Sequence, residues 1–355
     1  MKQQVHYVET ADHVQLAWAE TGRGPPLVKT ATWLTHLQHD RESPVWSHWV
    51  RFLCGHYRYI RFDERGCGMS DWNVGDLTLQ RWVEDLEAVV DASGIDRPFA
   101  LLGMSQGAAT AIRYAVRHPR RVSHLILYGG YAVGGLRSDD PRRAALYRAV
   151  MEVVGLGWGS DNPAFRRLFT ERFAPEGTDE QLAWFNELCR QTTSPANAVA
   201  LLQARGNADV SDLLEQVRVP TLVLHANRDQ IAPLAQGRLL ASRIPGARFV
   251  QLESCNHVLL EHEPAWRDFQ EEVLAFTGVT RPEAREDPAR GPALTVRERE
   301  VLALLCAGSS NAQIGWELGI AEKTARNHLS GLYRKLGVRS RAEAIVRVVG
   351  RREPD

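Results

Sequence analysis

The chain has 355 residues, which suits two domains of unequal size, and its 44% hydrophobic and 24% charged residues are typical of a globular protein. This composition excludes a disordered chain and a collagen-like repeat. The 43 Lys and Arg residues balance the 43 Asp and Glu residues, which excludes a uniformly basic coat for nucleic acid but allows a local basic patch. The five cysteines lack CxxC spacing, which argues against a disulfide scaffold and a zinc site. We predict no metal and no other cofactor.

The sequence gives no sign of export or membrane insertion. The first sixteen residues alternate polar and apolar side chains, without the hydrophobic core of a signal peptide. No apolar run approaches the ~20 residues that span a bilayer. Scattered cysteines favour a reducing compartment. We therefore predict a cytoplasmic protein with no membrane partner.

The strands of the first 278 residues are predicted as short segments rich in branched or aromatic side chains. In chain order they are Pro26–Lys29, Arg58–Asp63, Phe99–Gly103, Val122–Tyr128, Thr221–Ala226 and Arg248–Leu252. Between two of them, apolar residues from Leu79 to Val90 recur at the spacing of one helix face. Strands that alternate with amphipathic helices indicate crossover connections and a mostly parallel sheet, so the fold class is α/β.

Residues from about 135 to 217 interrupt this alternation because their pattern is mostly helical. Six aromatic residues are spread through the segment: Trp158, Phe165, Phe169, Phe173, Trp184 and Phe185. We interpret the segment as a helical lid inserted over the sheet. Its aromatic residues either form the core of the lid itself or face a site, in which case they favour a mainly apolar ligand.

A GxSxG motif, formed by Gly103, Ser105 and Gly107, lies between the strand Phe99–Gly103 and a helix-forming run, Gln106–Arg117. A serine nucleophile on a sharp strand-to-helix turn has crowded neighbours, and flanking glycines relieve the crowding. The motif by itself is weak because chance matches occur, so its context supports the prediction. Ser105 is the candidate nucleophile.

A reactive serine needs a base and an acid that orients the base. Asp229 lies in the loop after the strand Thr221–Ala226, and His257 follows the last predicted strand. Since the carboxyl ends of parallel strands converge, both side chains are expected near Ser105. The alternatives are a turn or capping acid for Asp229, a surface histidine for His257, and His262 as a rival base, although His262 begins a helix-like segment.

Residues 1–278 resemble the α/β-hydrolase fold family. The chain order Ser105, Asp229, His257 matches its nucleophile, acid and histidine, and the segment DERGCGMSD at 63–71 resembles its DxRGxGxSD motif. The resemblance implies that Ser105 attacks, that His257 acts as general base and that Asp229 fixes the imidazole.

The resemblance also implies an oxyanion hole made of the backbone N–H groups of Gln106 and Trp33. Family members usually carry His-Gly before the second donor, whereas this chain has Ala31-Thr32 before Trp33. Without that glycine we expect slow turnover of an ester or acyl substrate.

Residues 279–292, VTRPEAREDPARGP, contain three prolines and six charged residues, so they are predicted to be an exposed linker. Beyond it, residues 293–355 contain eleven Lys or Arg and seven Asp or Glu residues, a surplus of four positive charges. The tail is therefore the basic part of the chain.

Four helices are predicted in the tail. The first starts at a capping box formed by Thr295 and Glu298, and the others span Asn311–Leu318, Lys323–Leu336 and Arg341–Val349. Two helices around a glycine-containing turn predict a helix-turn-helix. The alternative is a four-helix interaction module.

The tail resembles the LuxR-type (FixJ-like) DNA-binding domain in the stretches LTVREREVL, SNAQIG, EKTARNHLSGLYRKLGV and RAEA. The resemblance implies double-stranded DNA as a partner and the third helix as the recognition helix. On that helix, Arg326, Asn327 and Ser330 are expected to reach base edges. The residues expected at phosphates are Lys323, Thr324, Arg334, Lys335 and Arg339.

The last predicted helix has an apolar stripe, consisting of Ala342, Ile345, Val346 and Val349. In LuxR-type domains this helix commonly pairs two copies, which favours a homodimer. A stripe of this kind could equally belong to the core of the small domain.

The sequence therefore predicts an α/β-hydrolase fold with an inserted helical lid (residues 1–278), a linker (residues 279–292) and a small all-α four-helix helix-turn-helix domain (residues 293–355). The leading hypothesis is a DNA-binding transcription regulator that senses a small apolar or ester-like ligand and binds an operator as a homodimer. The alternative is an active serine hydrolase, of esterase or lactonase type, that carries a DNA-binding tail.

Overall fold

The computed structural model describes residues 3–280, 296–338 and 340–349. It divides into two compact units, Met1–Arg281 and Pro282–Asp355. Most of the segment predicted to be a linker lies outside the described residues. Its first residue, Val279, packs against the core of the larger unit and donates its N–H to the carbonyl oxygen of Leu274 at 3.1 Å.

The larger unit is built on one eight-stranded sheet with the strand order β1-β2-β4-β3-β5-β6-β7-β8. The strands are β1 (Gln4–Glu9), β2 (Gln15–Thr21), β3 (Pro26–Lys29), β4 (Arg58–Phe62), β5 (Phe99–Met104), β6 (Val122–Tyr128), β7 (Thr221–Ala226) and β8 (Arg248–Leu252). Strands β1 and β2 pair antiparallel, β2 joins β4 antiparallel, and all other pairs are parallel. The predicted α/β class is confirmed. The antiparallel β1–β2 hairpin was not among the strands predicted from the sequence.

Every side chain of the central strand β5 is buried, and successive side chains point to opposite faces of the sheet. Both faces are therefore covered, and helices cover them. Leu101 belongs to one apolar cluster and Leu102 to the other. The covering helices are α1 (Ser47–His56), α2 (Leu79–Ala92), α3 (Gly107–Arg117), α8 (Leu234–Arg243) and α9 (Pro264–Thr277). Helix α2 buries the apolar face that the sequence spacing predicts.

The lid is inserted between β6 and β7. It consists of α4 (Pro141–Gly157), α5 (Ala164–Thr170), α6 (Asp179–Thr192) and α7 (Pro195–Gly206), with short 3₁₀ turns at Gly135–Arg137 and Ser211–Gln216. Four of its aromatic side chains are buried, namely Trp158, Phe169, Phe173 and Phe185. Phe165 is exposed to solvent. Trp184 is partly buried and packs against the apolar core.

The segment 63–71 anchors the lid and organises its own turn. The carbonyl oxygen of Gly66 accepts hydrogen bonds from the lid residues Thr193 (2.6 Å) and Asn197 (3.1 Å). Gly68 has φ +56°, and a Cβ on it would lie 2.3 Å from the carboxylate of Asp63, so only glycine fits this turn. The motif therefore has a structural role beneath the lid.

The described residues of the smaller unit form four helices: α10 (Val296–Cys306), α11 (Asn311–Glu317), α12 (Glu322–Leu336) and α13 (Arg341–Val349). A reciprocal capping box between Ser310 and Gln313 starts α11, and Gly319 (φ +65°) forms the turn before α12. The predicted all-α unit is confirmed. Thr295, predicted to cap the first helix, lies outside the described residues. In the part of the chain that the structure describes, no helix is long and apolar enough to cross a membrane.

The apolar stripe of the last helix was predicted either to pair two copies or to belong to the core of the small domain. Ala344 is buried in this core and Ile345 packs against it, whereas Ala342 is exposed. The side chains of Val346 and Val349 lie outside the described residues. The described part of the stripe is thus divided between the core and the surface.

Candidate functional site

Ser105 lies on the tight turn between β5 and α3 with φ +53°, one of two described non-glycine residues in the left-handed region. Neighbouring elements approach the backbone too closely for a side chain at Gly103 or Gly107. A Cβ on Gly103 would lie 2.7 Å from the Ala111 methyl group, and one on Gly107 would lie 2.2 Å from the Thr30 hydroxyl. The GxSxG spacing is therefore required by the packing of this turn.

The structure brings Ser105, His257 and Asp229 together, although they are far apart in the chain. The Ser105 hydroxyl lies 2.8 Å from Nε2 of His257, and Nδ1 of His257 lies 2.6 Å from Oδ2 of Asp229. All three residues are buried. The other carboxylate oxygen of Asp229 accepts N–H groups from Ile231 (2.7 Å) and Ala232 (3.0 Å), which fixes the orientation of the carboxylate.

The electrostatics keep this acid ionised. Burial acts to raise the pKa of the Asp229 carboxyl, but the facing His257 and the amide donors outweigh it, so the pKa lies below its usual value. Burial lowers the pKa of the neighbouring His225, whose Nε2 lies 2.8 Å from the Ala232 carbonyl oxygen, so this ring is neutral near pH 7. His257 can therefore take the Ser105 proton while Asp229 stabilises the resulting imidazolium.

The two predicted oxyanion donors, Trp33 and Gln106, both border the space in front of Ser105. Within the described residues, neither backbone N–H makes a hydrogen bond, so both are available to a ligand. Ala31, Thr32 and Trp33 all have negative φ, which explains how this loop forms without the usual glycine. The Trp33 ring stacks on Trp158 of the lid, with ring centroids 5.2 Å apart.

Two cavities meet at Ser105. The larger, of about 350 Å³, is bordered by side chains of the lid and its connections, including Tyr131, Arg143, Tyr147, Phe169, Arg172 and Arg205. The smaller, of about 20 Å³, is bordered by His257 and by apolar side chains that include Leu34, Trp46, Phe185 and Val258. The larger cavity has the size of a site for a small molecule.

Three residues of the larger cavity, Arg143, Arg172 and Tyr131, were not predicted from the sequence. Arg143 lies in α4, Arg172 follows α5 and Tyr131 follows β6, so no short motif joins them. His262 was the alternative to His257 as the base. It lies at an exposed position, whereas His257 is hydrogen-bonded to Ser105. Within the described residues, no group of three or more His, Cys, Asp or Glu side chains is arranged to hold a metal ion.

The residues expected at DNA lie on the exposed side of α12, opposite the buried Ala325, Leu329, Leu332 and Leu336. Five of them follow the spacing of one helix face: Lys323, Arg326, Asn327, Ser330 and Arg334. Thr324 and Lys335 are exposed on one flank of this face, and Arg339 lies outside the described residues.

Two of these side chains already have acidic partners in the smaller unit. Nζ of Lys335 donates to Glu298 at 2.8 Å, and the Arg326 guanidinium donates to Glu322 at 3.1 Å. The Arg326–Glu322 pair is more than half exposed on both sides, so it is weak and easily exchanged for a nucleic-acid contact. Lys335 is held more firmly because Glu298 is largely buried.

Comparison with known proteins gives two family matches. The model of the family described as "alpha/beta hydrolase fold" matches residues 37–264. The model of "Bacterial regulatory proteins, luxR family" matches residues 292–348.

The chain belongs to the α/β-hydrolase fold family.

Two relatives and one solved structure support the assignment of this α/β-hydrolase domain. The AB hydrolase superfamily protein YisY of Bacillus subtilis (strain 168) is 27% identical over 71% of this chain and 92% of its own length. A pimeloyl-[acyl-carrier protein] methyl ester esterase of Nitrosomonas europaea is 28% identical over 67% of this chain and 90% of its own length. A solved hydrolase from Pseudomonas aeruginosa PA01 superposes with a TM-score of 0.65 at 25% identity, over 78% of this chain and 99% of that one.

The α/β-hydrolase domain is thus fused to a LuxR-type helix-turn-helix domain in one chain. The second domain makes the protein a DNA-binding regulator.

Proposed function

We propose that this protein is a transcription regulator whose α/β-hydrolase domain (residues 1–278) senses a small ester-like ligand. A linker (residues 279–292) would join it to the DNA-binding domain (residues 293–355). The observation that carries the proposal is the hydrogen-bonded arrangement of Ser105, His257 and Asp229 beside a cavity of about 350 Å³. A ligand regulates only if it binds two arrangements of the protein with different affinity.

The buried aromatic cluster supports a route by which a ligand could act on the lid. The Trp33 ring contacts both Trp158 (5.2 Å) and Phe169 (5.5 Å), and Phe173 meets the His257 ring at 5.6 Å between centroids. A ligand seated at Ser105 would contact this cluster and so alter lid packing. We further propose a cytoplasmic homodimer that binds two operator half-sites about one DNA turn apart.

The second candidate is an active serine hydrolase, and the completeness of the triad favours it. In the acylation step the Ser105 oxygen bonds to the ester carbonyl carbon and the ester C–O bond breaks. The Ser105 proton passes through His257 to the departing alcohol. Water then releases the acid and restores Ser105.

The sensor and the enzyme are separated by comparing the full chain with Ser105→Ala on an operator selected from a random duplex pool. Each protein is mixed with short and long acyl esters, and operator affinity, intact mass and released acid are measured. Ester-dependent binding that persists in Ser105→Ala supports sensing by binding alone. A one-equivalent mass increase with binding lost in Ser105→Ala supports acylation as the signal. Many turnovers without a change in operator affinity support the hydrolase and contradict the sensor.

The DNA face gives a second prediction. Arg326→Ala should weaken binding to the selected operator by ~1–3 kcal/mol and relax preference at one base pair, because an arginine reads guanine edges through two hydrogen bonds. Fluorescence anisotropy with single-substitution duplexes measures both effects.

The matched control is Arg334→Ala, an exposed residue without an ion pair among the described residues. It should weaken binding to all duplexes alike and lower the slope of log affinity against log salt by about one. If Arg326→Ala leaves the base preference unchanged, the proposed reading surface is wrong.

A further inference from the structure

Two arginines in the wall of the larger cavity lack an acidic partner. The Arg143 guanidinium has one long contact, 3.4 Å to the carbonyl oxygen of Val133, and Arg172 donates to the carbonyl oxygen of Gln230 at 2.9 Å. Neither forms an ion pair with any carboxylate in the described ranges. Each guanidinium has five N–H donors, so most of their donors remain free.

Of the other charged residues that border this cavity, Arg142 is exposed to solvent, whereas Arg205 and Asp140 are engaged. Arg205 forms an ion pair with the buried Glu64 and lies over the Trp82 ring at 4.4 Å. Asp140 accepts the backbone N–H of Arg142 at 2.9 Å as the cap of α4. Asp229 is not among the residues that line this cavity, and its carboxylate faces His257. The cavity wall therefore has an excess of positive charge at Arg143 and Arg172.

Burial makes this excess unfavourable in the absence of an anion. Removal from water lowers the pKa of both Arg143 and Arg172, against the opposing effects of Tyr131 and Asp140 on Arg143 and of Asp229 on Arg172. Tyr131 borders the same cavity, and its hydroxyl makes no hydrogen bond among the described residues. Burial raises the pKa of Tyr131, so the phenol keeps its proton and can donate it.

The positions of the two cavities indicate how an ester would be oriented at Ser105. His257, which would protonate the departing alcohol, borders the smaller cavity, whereas the arginines border the larger one. An ester carbonyl at Ser105 would therefore place a small alcohol group beside His257 and its acyl chain toward Arg143 and Arg172.

We propose that this site binds an ester of a small alcohol whose acyl chain ends in an anionic group, held by Arg143 and Arg172 with Tyr131 as a further donor. This inference rests on the proposed function, because it names the ligand class of the same cavity. The aromatic lid alone favoured a mainly apolar ligand. The proposed ligand has an apolar acyl chain with a charged end.

The test uses two esters of equal shape and different charge. Monomethyl adipate ends in a carboxylate, and in methyl 6-methylheptanoate two methyl groups replace the carboxylate oxygens. Binding to full-length Ser105→Ala is measured by calorimetry at pH 7.5, so the result does not depend on turnover. We expect the acidic ester to bind at least about tenfold more tightly, because charge-assisted hydrogen bonds to arginine exceed apolar contact here.

The arginines are then replaced in the Ser105→Ala background. Arg143→Met with Arg172→Met should abolish the preference while leaving affinity for the neutral ester within about threefold. Arg148→Met, an exposed position of the same helix, should leave the preference intact. Thermal unfolding of each variant checks that the fold is retained.

The outcomes separate this inference from the proposed function. Equal binding of the two esters, or a preference that survives the double replacement, overturns the inference and leaves the sensing proposal standing. Failure of both esters to bind, together with absence of Ser105 acylation by short and long acyl esters, overturns both.

Discussion

Asp229→Asn should slow the reaction of Ser105 with an activated ester such as 4-nitrophenyl acetate by about 10⁴-fold. The reason is the direction of the hydrogen bonds around the carboxylate. One oxygen accepts two backbone N–H groups, from Ile231 and Ala232, and the other faces Nδ1 of His257 at 2.6 Å. In the asparagine variant the amide oxygen takes the position facing the backbone donors, so its NH₂ group faces Nδ1.

That arrangement forces His257 into the wrong tautomer. Nδ1 must then accept a hydrogen bond, so the ring proton moves to Nε2, the atom 2.8 Å from the Ser105 hydroxyl. A protonated Nε2 cannot take the serine proton. The substitution changes few contacts, so the fold should be retained.

The measurement is the rate of nitrophenol release or acyl-enzyme formation by the full chain, with circular dichroism as a check on folding. Glu253→Gln is the matched control, because this carboxylate follows the next strand, β8, and is exposed. Its rate should stay within about twofold of the original. A fall of less than tenfold for Asp229→Asn would contradict the role assigned to this acid.

Asp85→Ala should lower the free energy of unfolding of the larger unit by about 3–5 kcal/mol. Arg65 is fully buried, and its guanidinium donates two hydrogen bonds to Asp85, at 2.6 and 2.8 Å. Its other partners are the partly exposed carboxylate of Asp12, at 2.8 and 3.1 Å, and the carbonyl oxygen of Asp76, at 3.3 Å. Removing the buried carboxylate leaves two donors of the buried guanidinium without their acceptors and leaves the partly exposed Asp12 as its one ion-pair partner among the described residues.

Urea unfolding followed by tryptophan fluorescence measures this loss. Asp91→Ala on the same helix is the control, because its pair with Arg121 lies at the surface and should contribute no more than about 1 kcal/mol. Replacing both partners, with Arg65→Met and Asp85→Leu, should recover much of the stability, since neither charge of this buried pair then remains. A loss below about 1 kcal/mol for Asp85→Ala would show that Asp12 alone compensates Arg65.

Much of the candidate site was predictable because it depends on strand order. Ser105, Asp229 and His257 each follow a parallel strand, and parallel strands end at one edge of the sheet. The glycines around Ser105 were equally readable, since a tight strand-to-helix turn leaves no room for a Cβ. Helical spacing likewise predicted which face of α12 is buried.

Other features could not be predicted because their partners are distant in the chain. Arg65 and Asp85 belong to different elements, and neither the glycine motif nor the helix pattern indicates that they pair. Lys335 was expected at a phosphate, yet it donates to Glu298 of α10. The missing glycine before Trp33 led us to expect slow turnover, which remains a prediction. The structure adds that Ala31, Thr32 and Trp33 all have negative φ and that the Trp33 N–H makes no hydrogen bond among the described residues.

By itself, the sequence determined the two folds, the nucleophile turn and the order of the triad, because each follows from local spacing and chain direction. Only the tertiary structure decided the character of the cavity. Arg143, Arg172 and Tyr131 come from three separate segments, and what matters there is that, among the described residues, neither guanidinium group forms an ion pair. A missing partner leaves no pattern in a sequence, because charge compensation depends on which side chains the fold brings within a few ångströms.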